Sequence, residues 1–264
     1  VLNTQGIFVG AVHLRIADGI ASVTFDRPDS RNAMTWAMYE QLEAICRQLH
    51  EDESVRAVRF QGAGGAAFVS GTDIPQFQAF TSGDHGVAYE KRIDTVVELV
   101  ETLPMPTLAV VQGAAVGGGF AIATACDFRI ATPGSRFGVP IARTLGNCLS
   151  SANVTRLVAA VGRPMAQRML LLGDLLNAEE LLASGYLLQV VAPQDLEAAA
   201  KSVCDRVASL APITQRVSKE TLNRLLHSGV PDVDDLIRRA YDSEDFREGV
   251  QAFMKKRPPV WQGR

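Results

Sequence analysis

The chain reads as an α/β protein on three observations. Short apolar runs of strand length alternate with helical stripes through residue 131, the run Thr107 to Gln112 is almost wholly apolar, and helical patterning dominates beyond Leu157.

The elements follow in order. Val12 to Ile16 and Ile20 to Phe25 alternate in polarity around Asp18-Gly19, which predicts a hairpin. After Arg27-Pro28-Asp29-Ser30, the stripe Tyr39, Leu42, Ile45, Cys46 and Leu49 predicts a helix over Trp36–Leu49 packed on a sheet. Val55 to Gln61 returns as a strand that Gly62-Ala63-Gly64-Gly65 ends. Tyr89, Ile93, Val96, Val97 and Val100 give the buried side of a helix from Gly83 to Leu103, stopped by Pro104 and Pro106. The apolar run Thr107 to Gln112 suits a parallel strand covered on both faces. A short apolar strand closes at Val116, the glycines that follow open a small-residue helix reaching Cys126, and Phe128 to Ala131 is another strand. Helices are expected at Ala166–Leu172, Ala178–Ser184, Leu196–Ser209, Thr214–His227, Val233–Tyr241 and Asp245–Lys256. This divides the chain into a core over residues 1–200 and a C-terminal helical region over 201–264 that packs on the core or on other subunits.

At 264 residues and 47% apolar composition the chain can bury a sizeable core. Its 26 basic and 29 acidic residues give a formal charge of −3 without a basic block, so nucleic acid has no electrostatic footprint here. Cys46, Cys126, Cys148 and Cys204 lie in or beside apolar runs and read as reduced, buried thiols. The four histidines, His13, His50, His85 and His227, form no metal motif. No metal site is expected. With no signal-like start and no apolar stretch of membrane-spanning length, the expectation is a soluble, cytoplasmic protein without a membrane partner.

The chemistry concentrates at two turns. Val116-Gly117-Gly118-Gly119-Phe120 ends a strand and opens a helix, and upstream Ala67-Phe68-Val69-Ser70-Gly71-Thr72-Asp73-Ile74 also ends a strand in small residues. Backbone with so little side-chain cover can press on a ligand and aim amides at a developing negative charge. Ser70 and Gly118 are the expected donors, although turns of this kind also arise from strand-ending geometry alone. The glycines fall short of a dinucleotide fingerprint. Asp73 suits a helix cap and Asp127 a structural acceptor. In the polar stretch Ile141–Asn153, Arg143 could hold an acidic group and Asn147 or Ser150 could orient water or a carbonyl, beside structural roles for each. Cys148 has no histidine nearby in sequence to favour its thiolate.

Phe68 to Ile74, Val111 to Phe120, Cys126-Asp127 and Phe137-Gly138-Val139-Pro140 resemble, in this order, the motifs of the enoyl-CoA hydratase/isomerase (crotonase) family, and the likeness runs from about Val9 to Gln262. The resemblance implies a spiral of ββα units with a C-terminal helical trimerisation region, in a homotrimer or homohexamer. It implies a coenzyme A thioester as substrate, with no redox cofactor or metal, its carbonyl lying between the Ser70 and Gly118 amides. Ala33, Gly71, Thr72 and Asp73 would line the coenzyme, joined by Phe253 and Lys256, often from a neighbouring subunit. At the two positions where the hydratase pattern carries glutamates, this chain has Ala121 and Ile141, which cannot transfer protons. Ordinary two-glutamate hydration is therefore disfavoured, and the aspartate of one isomerase pattern falls at Ser150. Lyase, isomerase, decarboxylase and hydrolase chemistry stay open, with Glu90 and Asp84 as candidate carboxylates from the segment after the first turn. The alternative is a non-catalytic acyl-CoA binding or assembly protein.

Overall fold

The computed structural model describes residues 10–229 and 234–261, so Val9, Val233 and Gln262, which bounded expectations above, lie outside the described residues. Strands β1 (Ala11–Ala17) and β2 (Ile20–Asp26) form the expected hairpin. Asp18 and Gly19 both take positive φ, 52° and 74°, the twist that a two-residue turn between right-twisted strands requires. Helix α1 (Trp36–Glu51) starts at Thr35, whose hydroxyl accepts from Met38 N at 3.3 Å. The pattern then repeats: β3 (Ala57–Gly62), β4 (Ala67–Val69) and α2 (Gly83–Glu101), then β5 (Thr107–Val111), β6 (Ala114–Val116) and α3 (Gly118–Ala125). Next come β7 (Phe128–Ala131), β8 (Arg136–Gly138), a single turn α4 (Ile141–Thr144), and α5 (Ser151–Gln167). β9 (Leu176–Asn177), α6 (Ala178–Ala183), β10 (Gln189–Val190) and the helices α7 (Leu196–Ala208), α8 (Pro212–Leu226), α9 (Asp234–Tyr241) and α10 (Glu244–Met254) complete the chain.

These ββα units feed two sheets at once. One runs β1-β2-β3-β5-β7-β10, parallel beyond the first hairpin; the other runs β4-β6-β8-β9. After the first hairpin, whose strands both lie in the large sheet, the first strand of each unit joins the large sheet and the second steps into the small one. Strand β5 explains its all-apolar sequence: Ala109 and Val111 enter the main core, while Leu108 and Val110 meet Leu196, Ala200, Val203 and Cys204 of α7 on the opposite face. Residue 200 lies inside α7, which packs against the large sheet. Strands β9 and β10 punctuate a region whose sequence reads as helical.

The last two helices fold back onto their own chain. Gly83 and Gly86 make a notch in α2: a Cβ at Gly83 would fall 2.6 Å from Arg238 Cα, and one at Gly86 would overlap the Tyr241 ring. Tyr241 and Phe246 then pack with Phe77 and Val87 in a small core of their own. Gly86→Val should fill the notch and release α9 and α10, costing about 1–3 kcal/mol by overpacking. A lowered urea midpoint together with new proteolytic cleavage after α8 would report this. Among the described residues no helix is long and apolar enough to cross a membrane.

Candidate functional site

Strands β4 and β6 run parallel, Ala67 beside Ala114, and carry both glycine turns to the same end of the small sheet. Gly71, at φ 109°, has space for a Cβ only 3.3 Å from Val116 O, and a Cβ on Gly117 would stand 3.7 Å from Gly71 Cα. The two turns thus touch through backbone, and both glycines take positive φ, 109° and 55°, a conformation that side chains disfavour.

Which amides face the gap is decided by a third segment. Met34 N donates to Gly71 O at 2.8 Å, and Asp73 N donates to Met34 O at 2.9 Å. Backbone groups alternate in direction along an extended chain, so with its neighbours turned toward Met34, the Thr72 N–H faces the other way. Among the described residues it has no backbone partner. The Ser70 N–H, in contrast, donates to Arg31 O at 3.1 Å. That bond occupies the hydrogen expected of Ser70, so of the two it is the Thr72 N–H that stands without a backbone acceptor among the described residues. Gly118 opens α3, so its amide is one of the helix donors without an intrahelical acceptor, while Gly117 N is held by Gly138 O at 2.9 Å.

Arg27 organises the strap along this edge, donating to Ala33 O at 3.1 Å and pairing with Asp73 at 3.2 Å. Asp73 therefore serves as an ion-pair partner; its side chain makes no cap bond to the turn Ile74–Ala79 that follows. Buried Asn32 ties the strap down, its Nδ2 reaching Ala63 O and Ala67 O at 2.9 and 2.8 Å. Asp127 is the structural acceptor expected, taking bonds from Thr107 and Lys219 away from these turns.

Ala121 and Ile141 stand half-buried against the main core. Beside Ala121 a cavity of about 10 Å³, room for roughly one water, is walled by Gly117, Val139, Leu149 and Asn153. The larger hollow, about 480 Å³, opens on the outer side of α10 among Glu244, Arg247, Glu248 and Arg257, far in character from a thioester site.

The polar stretch Arg143–Asn153 turns mainly toward α2. Arg143 is exposed, its Cβ 3.0 Å from the Cβ position of Gly173, and no described contact ties it to either glycine turn. Ser150 caps α5, accepting from Asn153 N at 3.2 Å, and its hydroxyl donates to Asp94 at 2.6 Å while its N–H donates to Glu90 at 3.0 Å. Its hydroxyl is thereby committed to structure. Asn147 Nδ2 donates to the Tyr241 hydroxyl at 3.1 Å, and that hydroxyl donates to Glu90 at 2.7 Å. Burial, opposed by these bonds, holds the Glu90 carboxyl up at about 8. Burial also pushes the Cys148 thiol up to about 12, which keeps it a thiol. Asp84 lies on the surface with Arg238, 2.6 Å away. Phe253 and Lys256 are exposed at the end of α10. No group of three or more His, Cys, Asp or Glu among the described residues is placed to hold a metal.

Sequence reasoning missed a run of hydroxyls beside the turns. Tyr39 Oη lies 2.8 Å from Thr72 Oγ1, which lies 2.8 Å from Tyr89 Oη. Tyr39 reads as part of the core stripe of α1, and its ring is buried there; only the reach of the phenol brings its oxygen to Gly118.

Comparison with known proteins supports one family throughout. The model described as enoyl-CoA hydratase/isomerase matches residues 15–264. The short-chain-enoyl-CoA hydratase of Clostridium acetobutylicum is 30% identical over 90% of this chain and 92% of its own length. The (E)-benzylidenesuccinyl-CoA hydratase of Thauera aromatica is 30% identical over 96% and 99%. An enoyl-CoA hydratase structure from Mycobacterium avium subsp. paratuberculosis K-10 gives a TM-score of 0.81 at 30% identity, covering 95% of this chain and 98% of that one. A methylmalonyl-CoA decarboxylase in complex with 2-nitronate-propionyl-CoA shares the fold at 24% identity, with a TM-score of 0.87 and coverage of 96% and 98%. The paired ββα sheets, the touching glycine turns and a match over nearly the full length place this chain in the enoyl-CoA hydratase/isomerase (crotonase) family.

Proposed function

We propose that the chain is an acyl-CoA thioester enzyme that stabilises an enolate or oxyanion, with the thioester oxygen held by the N–H groups of Thr72 and Gly118. The observation that carries this reading is the pair of amides at abutting turns, one turned outward by the Met34 bridge and one at the start of α3. Preorganised donors of this kind gain strength as charge develops in a site shielded from water. Ala33 and the segment Ser70–Asp73 form the edge along which coenzyme A would lie, with Phe253 and Lys256 as further contacts to it.

The relatives named hydratases argue for chemistry at an enoyl or acyl thioester, whereas Ala121 and Ile141 argue against water addition by paired glutamates. Isomerase, lyase, decarboxylase or hydrolase chemistry through the same oxyanion remains compatible with the side chains present. A second reading, acyl-CoA binding without turnover, is favoured by the same two alkyl side chains. Incubating the protein with a panel of acyl-CoA thioesters in deuterated water, followed by mass spectrometry, separates the two. Deuterium uptake at the α-carbon without hydrated product is the expected outcome. Tight binding with neither exchange nor product across the panel would favour the silent reading, and absence of thioester binding would refute both.

An oligomer is supported by α8, where Ile213, Val217 and Leu225 are 76%, 57% and 70% exposed. An apolar face this open is expected to be covered by another subunit in a trimer or hexamer. Val217→Asp should shift the sedimentation coefficient toward that of the monomer; an unchanged value would remove α8 from the interface.

A further inference from the structure

We propose that the Tyr39 hydroxyl is a third hydrogen-bond donor to the thioester oxygen, positioned by Thr72 Oγ1 at the side of the Gly118 amide. The inference deepens the reading of Thr72 and Gly118 as donors and rests on it.

The first argument is one of place. A Cβ built on Gly118 falls 2.6 Å from Tyr39 Oη but 3.9 Å from Tyr39 Cζ, so the phenol oxygen fills the space a side chain at residue 118 would take. The same position lies 3.6 Å from Thr72 Oγ1. The hydroxyl of Tyr39 and the residues that supply both amides therefore meet at one point.

The second argument is a count of hydrogens. Tyr39, Thr72 and Tyr89 carry one hydroxyl hydrogen each, and their run contains two contacts. One hydrogen is left without an acceptor in the run. Tyr89 is half-buried, whereas Tyr39 is 1% exposed and Thr72 is 8% exposed. If Tyr89 donates to Thr72 and Thr72 to Tyr39, the spare hydrogen sits on Tyr39 beside Gly118, where a carbonyl oxygen supplies the missing acceptor. Burial raises the Tyr39 hydroxyl above its ordinary value, which keeps that hydrogen in place at neutral pH. Thr72 then acts twice, its N–H on the thioester oxygen and its side chain on the phenol.

The test is the carbonyl stretch of butyryl-CoA labelled with carbon-13 at the thioester carbon, read by isotope-edited infrared spectroscopy on the bound ligand. The wild-type protein should lower the frequency relative to free ligand. Tyr39→Phe should return the band part of the way, and should slow α-hydrogen exchange by about 100-fold, at the lower end of what removing one oxyanion donor costs, with little change in KM. Thr72→Val keeps the amide and removes the anchoring hydroxyl, so it should give a smaller return; it carries the test if Tyr39→Phe does not fold. Equal frequencies in wild type and both variants would overturn the role of Tyr39 while leaving the amides untouched. No lowering in the wild type, or no binding of the probe, would overturn the reading of Thr72 and Gly118 and this proposal with it.

Discussion

Replacing Gly118 by alanine is expected to lower thioester turnover, read as α-hydrogen exchange, by about 100- to 1000-fold, the range for loss of an oxyanion donor. Adding Tyr39→Phe should then recover part of the lost binding. The reasoning is steric. Gly118 lies outside the positive-φ region, so its backbone tolerates alanine, but the new methyl would meet Tyr39 Oη at 2.6 Å. Either the phenol leaves Thr72 or the first amide of α3 tilts. Without its hydroxyl, the ring's nearest atom stands 3.9 Å away, an ordinary contact. Isothermal titration with butyryl-CoA on both single variants and the double variant measures the coupling; additive losses would sink the steric account. The neighbouring glycines are needed for other reasons. Gly117 has a φ of 55° with ψ at −123°, a conformation suited to glycine. A Cβ on Gly119 would overlap the backbone carbonyl of Val69, which cannot yield as a side chain does. Gly119→Ala should therefore lower the unfolding free energy in urea by about 1–3 kcal/mol, and Gly118→Ala should lower it less, because its clash is with the end of a side chain.

The contrast between these glycines shows which information the sequence holds. That two small-residue turns end strands is visible from composition and spacing, the alternation of strand and helix follows from the periods, and the ββα order is what the family resemblance implies. The hairpin at Asp18-Gly19 and the doubly covered strand β5 are equally legible, because each is dictated by nearby residues. The free amide of the first turn is not. Whether Ser70 or Thr72 offers its hydrogen depends on Arg31 and Met34, which reach the turn only through folding. Helical periodicity reports where a Cβ points, so Tyr39 reads as core while its oxygen, at the far end of the ring, reaches Gly118. Asn147 and Ser150 read as pocket residues because polar groups among apolar runs invite a ligand. Their partners, Glu90, Asp94 and Tyr241, lie on α2 and α9. Strands of two or three residues such as β9 and β10 are shorter than any period that could announce them.

The buried carboxyl of Glu90 should make this protein lose stability as pH rises from about 4.5 to about 8, and Glu90→Gln should remove that loss. Burial raises the folded-state value from the ordinary 4.5 to about 8. Between those limits the folded protein keeps a proton that the unfolded chain releases, so the unfolded state is favoured as pH increases. The contribution is fully present below about 4.5 and is lost by the time pH passes about 8. At about 1.4 kcal/mol for each tenfold change in proton concentration, the full swing is on the order of 5 kcal/mol. Asp94, also raised chiefly by burial, adds in the same direction. As a neutral acid Glu90 can donate to the Tyr241 oxygen while Ser150 N still reaches the second carboxyl oxygen. Glutamine imitates that acid: its carbonyl accepts from Ser150 and its amide donates to Tyr241. Urea unfolding of the wild type and Glu90→Gln between pH 5 and 8.5 should give free energies that diverge by several kcal/mol in favour of the variant. Parallel curves would mean that Glu90 is already ionised in the fold, and that α9 is held over α2 by a charge with no cation at hand.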